Sequence, residues 1–276
     1  MIGVGKMPQA RADDGEKDVL REKKTALVTG ASAGLGAEFA RQLAAKGYDL
    51  VLVARRRGRL ERLARELSDH YKVQCWIETF DLAESSAPQA LFSALQARGI
   101  VVDYLVNNAG IAGPDLLDEP DWSEHQAFYQ LMMTSVAHLC HLFIPAMRSS
   151  GFGRVINVAS VAGRIPRADG CNYSSSKAYI IALSESLAVT LSGSGVHVTA
   201  LCPGFTYTEF HESAGMIEMK NSLPRWLWYS AKTVVADGLR AVEKAKPVYI
   251  SGRIYRWVDP LFQSVWTRRL FKAPGR

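Results

Sequence analysis

Cysteine is scarce in this chain. Cys75, Cys140, Cys171 and Cys202 are the four in 276 residues, and no two form a Cys-x-x-Cys pair. That spacing argues against a thiolate zinc site and a disulfide scaffold, and it favours reduced thiols in a cytosol. Long apolar runs are missing too. No stretch approaches the ~18 consecutive apolar residues that read as a bilayer span. The opening MIGVGKMPQARADDGEKDVLREKK is polar and charged, without the apolar region of about 7–15 residues that marks a signal peptide. The expectation is a cytoplasmic protein whose residues 1–22 form a flexible tail. Asn172-Tyr173-Ser174 fits a glycosylation acceptor, but with no secretion signal the match is chance. There is no internal repeat, and no linker rich in Pro, Gly or Ser divides residues 23–276, which read as one domain.

A hydrophobic content of 48% is enough for a sizeable core, and the formal net charge is +6. A basic balance suits nucleic acid, an anionic membrane or a phosphorylated cofactor. The arginines concentrate in ARRRGRLERLARE (54–66) and WTRRLFKAPGR (266–276). Neither interleaves aromatics in a nucleic-acid motif, so no nucleic-acid partner is expected. His138 and His141 stand three apart on an expected helix, but no third ligand is near in sequence, and no metal is expected. Val258, Leu261, Phe262 and Val265 are spaced like one face of an amphipathic helix. Core packing, a subunit interface, part of a substrate lid, and peripheral membrane contact through 254–272 all fit that face.

Between these ends the pattern alternates. Apolar runs at 25–30, 48–54, 73–80, 102–110, 153–160 and 196–204 read as strands, with helical stretches at 35–46, 56–70, 86–98, 123–149 and 172–192 between them. Continuous Val/Leu/Ile strands separated by helices predict an α/β fold, a doubly wound parallel sheet of Rossmann type. Its ligand would lie beyond the carboxyl ends of the strands. Residues 205–235 are less regular and rich in aromatics, as expected of a segment covering a substrate.

TGASAGLG (29–36) follows the first strand and opens the first helix. Its Gly30, Gly34 and Gly36, with Leu35 between the last two, permit a tight turn and close approach of a pyrophosphate to helix N–H groups. After the second strand, where an acidic residue would bind the ribose hydroxyls of NAD, stand Arg55, Arg56 and Arg57. Arginines at a helix start oppose the helix dipole, so a bound 2′-phosphate explains them better, with Ser32 adding a hydroxyl. These residues predict NADP(H) rather than NAD.

Taken together, TGxxxGxG at 29–36, Asp81-Leu82, NNAG at 107–110, a Ser thirteen residues before Tyr-x3-Lys, and PGFTYT at 203–208 resemble the short-chain dehydrogenase/reductase family, classical type. The likeness spans roughly residues 24–210. It implies Asp81 and Leu82 near the adenine, and Asn108, Ala109 and Gly110 along the cofactor. Pro203, Gly204 and Thr208 would meet the nicotinamide end. It further implies Tyr173 as acid/base, Lys177 as its electrostatic partner (both also touching the cofactor) and Ser160 as donor to the carbonyl oxygen. A small carbonyl or alcohol substrate and a homodimer or homotetramer follow from the same likeness.

The chemistry of the pair holds without it. Tyr173 and Lys177 share a helix face. A free phenol titrates near pH 10, and a cation ~4 Å away contributes roughly 4 kcal/mol at an effective dielectric of about 20, before solvation costs. One family residue is missing: an Asn thirteen positions before the helix proline holds water in a relay to the lysine, and counting back from Pro145 gives Met132. Backbone carbonyls or the Thr134 hydroxyl would have to serve instead. The sequence reads as an NADP(H)-dependent oxidoreductase for a hydrophobic carbonyl or secondary alcohol. An epimerase on the same fold and a non-catalytic NADPH-binding regulator are the alternatives.

Overall fold

The computed structural model describes residues 23–165, 170–208, 224–264 and 266–267. The expected tail (1–22), the middle of the expected covering segment (209–223) and the last nine residues lie outside them.

Seven parallel strands form the central sheet: β1 (Thr25–Thr29), β2 (Asp49–Val53), β3 (Cys75–Glu78), β4 (Tyr104–Asn107), β5 (Gly153–Val158), β6 (Val196–Pro203) and, as the ninth strand of the chain, β9 (Val248–Ser251). Their spatial order is β3-β2-β1-β4-β5-β6-β9, so the winding reverses between β1 and β4. Two short strands, β7 (Thr206–Tyr207) and β8 (Tyr229–Ser230), pair apart from it.

Side chains alternate across the sheet. Ala26, Val28, Leu50 and Leu52 face one apolar layer, which includes Phe39, Leu43, Leu60 and Leu67 of helices α1 (Gly34–Ala44) and α2 (Arg57–Tyr71). Val234, Leu239 and Val242 of α7 (Ala231–Glu243) complete that layer. Leu27, Val51, Leu105 and Val155 face the other, built by α3 (Ala87–Gln96), α4 (Trp122–Tyr129) and α5 (Ser135–Ser149). Helix α6 (Cys171–Thr190) packs on this side, and α8 (Arg253–Gln263) is the last helix described.

The expected long helix over 123–149 is interrupted by one π-helical turn, Gln130–Thr134. Such turns re-aim side chains and recur at functional sites. The 28-residue stretch Trp122–Ser149 is long and apolar enough to cross a bilayer, yet Leu139, Phe143, Ile144 and Met147 lie in the core. Of the expected C-terminal stripe, Val258 is half-buried and Leu261 exposed, while the Phe262 side chain and Val265 lie outside what is described. Tyr255 and Asp259 turn inward, while Trp257 is exposed, as is Trp266 just beyond the helix.

Candidate active site

The reversal of strand order brings the glycine turn and NNAG side by side. The Thr29 hydroxyl accepts from the backbone N–H groups of Asn108 (2.9 Å) and Ala109 (3.0 Å), and the Asn108 amide donates to Thr29 O at 2.9 Å. Gly30 has φ +66°, and a Cβ there would lie 2.8 Å from Asn108 Nδ2. A Cβ on Gly36 would meet the Gly30 carbonyl and stand 2.6 Å from the same amide. Helix α1 therefore starts hard against β1. No side chain caps that start, and no acidic residue lies in its first turn, which leaves backbone N–H groups facing outward for an anion. These features fit a dinucleotide pyrophosphate.

Beyond β2 the arginines separate. Arg56 donates from Nη2 and Nε to Ser32 Oγ at 3.0 and 3.2 Å, bridging to the glycine turn. Arg55 instead pairs with Asp81 at 3.3 Å, while Arg57 pairs with Glu61 along α2. Arg56 and Ser32 are the pair that fits a phosphate at this edge. Leu82 is buried in the layer with Leu27 and Val51, whereas Leu35 packs half-buried against the opposite layer, with Ala26 and Val28. Thr208 lies over the turn, its Cβ 3.3 Å from where a Gly34 Cβ would be.

The residues expected to carry the acid/base chemistry converge through packing. Ser160 follows β5 by two residues and caps the 3-10 turn Val161–Arg164, accepting from Ala162 N at 3.1 Å. That turn rests on the helix carrying Tyr173, where a Cβ on Gly163 would be 2.6 Å from the Lys177 carbonyl carbon. Lys177 is 6% exposed, and its ammonium donates to Val158 O at 2.9 Å and sits 5.6 Å from the Tyr173 ring centre. Burial pushes its pKa down to about 8. A Cβ on Gly110 would be 3.8 Å from that ammonium and 3.1 Å from Met132 Sδ. Met132 thus faces this centre, and its sulfur accepts from Ile111 N–H at 3.4 Å. Thr134 is solvent-exposed, whereas the ammonium it was expected to serve is buried.

Several contributors escaped the sequence reading. Asn107 and Asn157, register partners on β4 and β5, join by their amides at 2.9 Å, and Asn157 donates to Ser184 on α6 at 2.9 Å. Arg164 grips Asp259 of α8 with two bonds, one of 2.6 Å from Nη2, and Gln263 donates to Arg164 O at 2.9 Å. The C-terminal helix therefore clasps the turn that follows Ser160. Tyr255 of the same helix packs on Gly204 and donates to Leu227 O at 3.0 Å. Tyr207 stacks on Trp228 at 5.2 Å, and Phe205 lies 5.2 Å from it on centroids. These aromatics of the expected covering segment do gather. His211, Phe210 and Met216 lie outside the described residues. Cys140 and Cys202 are buried, which pushes both thiols up to about 12.

Comparison with known proteins gives the same picture. The short chain dehydrogenase family matches residues 24–216. Sulfoacetaldehyde reductase 2 of Chromohalobacter salexigens is 33% identical over 186 residues, covering 67% of this chain and 73% of its own. The short-chain dehydrogenase of Sphingobium yanoikuyae, solved in complex with NADPH, is 31% identical and superposes with TM-score 0.76 over 85% of this chain and 91% of its own. The bulky-bulky ketone specific alcohol dehydrogenase of Comamonas testosteroni is 26% identical, with TM-score 0.73 over 88% and 94%. With the motifs, the strand order and this coverage in agreement, the chain belongs to the classical short-chain dehydrogenase/reductase family of oxidoreductases.

Proposed function

We propose that this oxidoreductase uses NADP(H) to interconvert a ketone and a secondary alcohol on a bulky apolar substrate. The observation that carries the reading is the buried Lys177 ammonium beneath the Tyr173 ring. A cation held in a poorly solvated place stabilises a neighbouring phenolate and lowers the proton affinity of the phenol. When bound, the nicotinamide supplies or accepts the hydride. In reduction Tyr173 gives its proton to the carbonyl oxygen, and in oxidation it takes the proton back. Ser160 Oγ donates to the same oxygen and orients it. Lys177 is held by Val158 O, so its charge stays in place while Tyr173 changes protonation state. Met132 has no O–H or N–H on its side chain, so the returning proton reaches Lys177 by a path that does not pass through it.

Arg56 and Ser32 support the choice of NADP(H): a guanidinium and a hydroxyl meet at 3.0 Å beside the glycine turn. The Sphingobium relative is described in complex with NADPH. Tyr207, Trp228 and Phe205 support an apolar substrate, and the Comamonas relative is described as specific for bulky-bulky ketones. The test is cofactor titration. NADPH should bind about tenfold or more tightly than NADH, a difference of about 1.4 kcal/mol, and Arg56→Asp should narrow or invert the ratio. Equal affinity of the unmodified protein for both cofactors refutes the assignment.

A further inference from the structure

Asn172 directly precedes Tyr173, and the proton chemistry gives it no task. It is 2% exposed, so its place in a glycosylation tripeptide has no bearing on its role. Its amide joins two other segments. Nδ2 donates to Pro114 O at 3.0 Å and stands 2.9 Å from His125 Nδ1, while Oδ1 accepts from the Tyr129 hydroxyl at 2.7 Å. His125 is 1% exposed, and its Nε2 lies 3.0 Å from Glu119 O.

The protons in this network follow from the partners. A carbonyl only accepts, so His125 Nε2 carries its hydrogen. Nδ1 then presents a lone pair and accepts from Asn172 Nδ2. Turning the Asn172 amide over would set its oxygen against both Pro114 O and that lone pair. One arrangement satisfies every group: neutral His125 with hydrogen on Nε2.

Both carbonyls in the network belong to the stretch 108–121, which contains no helix or strand. That stretch leaves β4 after Asn107, passes beside Lys177 and Met132 at Gly110, and returns to the fold at α4. Much of its own bonding is internal, as between Glu119 N and Asp115 O or Leu117 N and the Asp115 carboxylate. Its hydrogen bonds to the body beyond Gly110 include Ile111 on Met132, Pro114 on Asn172 and Glu119 on His125, and Gly113 packs against the Phe128 ring. The Pro114 bond ends on the residue next to Tyr173, and the Glu119 bond ends on the histidine that this residue holds. The stretch's apolar side chains Ile111, Leu116 and Leu117 are exposed.

We propose that His125 and Asn172 are positioning residues, which fix the 110–119 loop as a wall of the site and hold it in register with Tyr173. The loop and the acid then share one anchor, and substrate fit depends on a histidine that touches neither substrate nor cofactor. The proposal rests on Tyr173 being the acid, as argued above.

His125→Phe tests it, because the ring still packs beside Trp122, whose centroid is 5.3 Å away, while both nitrogens are lost. Asn172 Nδ2 and Glu119 O each lose a buried partner. Amide hydrogen exchange across 111–119 should rise by about tenfold or more in this variant, as expected when a segment loses its tie to the body. With alkyl aryl ketones of graded size and NADPH, kcat should fall by about tenfold or more and KM should rise, with NADPH affinity unchanged. His125→Asn restores an acceptor for Asn172 and should recover most of kcat. Nitrogen-15 NMR of the unmodified protein should show the Nε2–H tautomer. Unchanged exchange over 111–119 in His125→Phe, or an Nδ1–H tautomer, overturns the proposal. If His125→Phe does not fold, the tautomer and the kcat of His125→Asn decide the question. If the unmodified enzyme reduces none of these ketones, the substrate reading fails, while exchange and tautomer still judge the anchor.

Discussion

Burying Lys177 should leave a signature in the pH dependence of stability. Its pKa is pushed from 10.5 down to about 8 because the ammonium is taken out of water. In the unfolded chain the group keeps its proton until pH 10.5; in the folded chain it loses it near 8. Below pH 8 both states are protonated, and the folded state bears the full cost of the buried charge. Between 8 and 10.5 unfolding takes up a proton, so this residue's contribution to stability improves as pH rises. The cost works out at about 3 kcal/mol at pH 7, about 2 at pH 9 and about 1 at pH 10. Other groups act in the opposite sense: Tyr104 is raised by burial, and Cys140, Cys202 and Tyr255 are each raised to about 12. The assay must therefore be a difference. Urea unfolding of the cofactor-free enzyme and of Lys177→Met, from pH 7 to 10, isolates the lysine. The unmodified protein should gain about 2 kcal/mol relative to the variant across that range. Parallel curves would mean that Lys177 titrates at its ordinary value, and the buried-cation account of Tyr173 would fall with it.

Two further substitutions probe the cradle and the missing relay. Gly36→Ala drives a methyl into the Gly30 carbonyl and the Asn108 amide; overpacking of this kind costs about 1–3 kcal/mol. NADPH fluorescence titration should show weaker binding by about tenfold or more, and unchanged affinity would remove the turn from the cofactor site. Met132→Asn puts an amide next to Lys177 at a cost of about 1–3 kcal/mol for burying it. A faster proton-dependent step and a smaller solvent deuterium effect are expected; no change in either would make Met132 packing alone.

The strands of the sheet were legible because buried parallel strands read as uninterrupted Val/Leu/Ile runs, and β1, β2, β5 and β6 fall where those runs do. Strand β9 and helix α7 were not. Both lie beyond residues 24–210, where the motifs are found, and α7 sets an Asp237-Gly238 pair within its buried face. Each oddity has a tertiary cause. Gly238 makes room for Leu201, and Asp237 accepts from Ser251 at 2.9 Å. At the site, the four-residue spacing of Tyr173 and Lys177 was legible, and counting from Pro145 correctly set Met132 beside the centre even though a π turn intervenes. Residues joined only through space were not legible. Arg164 and Asp259 stand 95 positions apart, and nothing in Asn172-Tyr173-Ser174 distinguishes a buried amide from an exposed one.

The central claim is that Tyr173 protonates a carbonyl whose carbon receives hydride from the cofactor. Incubation of the enzyme with NADPH deuterated at C4 and a bulky aryl ketone, followed by mass spectrometry and NMR of the alcohol, tests it most directly. The account predicts deuterium at the carbinol carbon in one configuration, with turnover reduced by about 10² or more in Tyr173→Phe while that variant still binds NADPH. Near-normal deuterium transfer by Tyr173→Phe would contradict it, as would tight NADPH binding by the unmodified enzyme with no transfer to any ketone of the series.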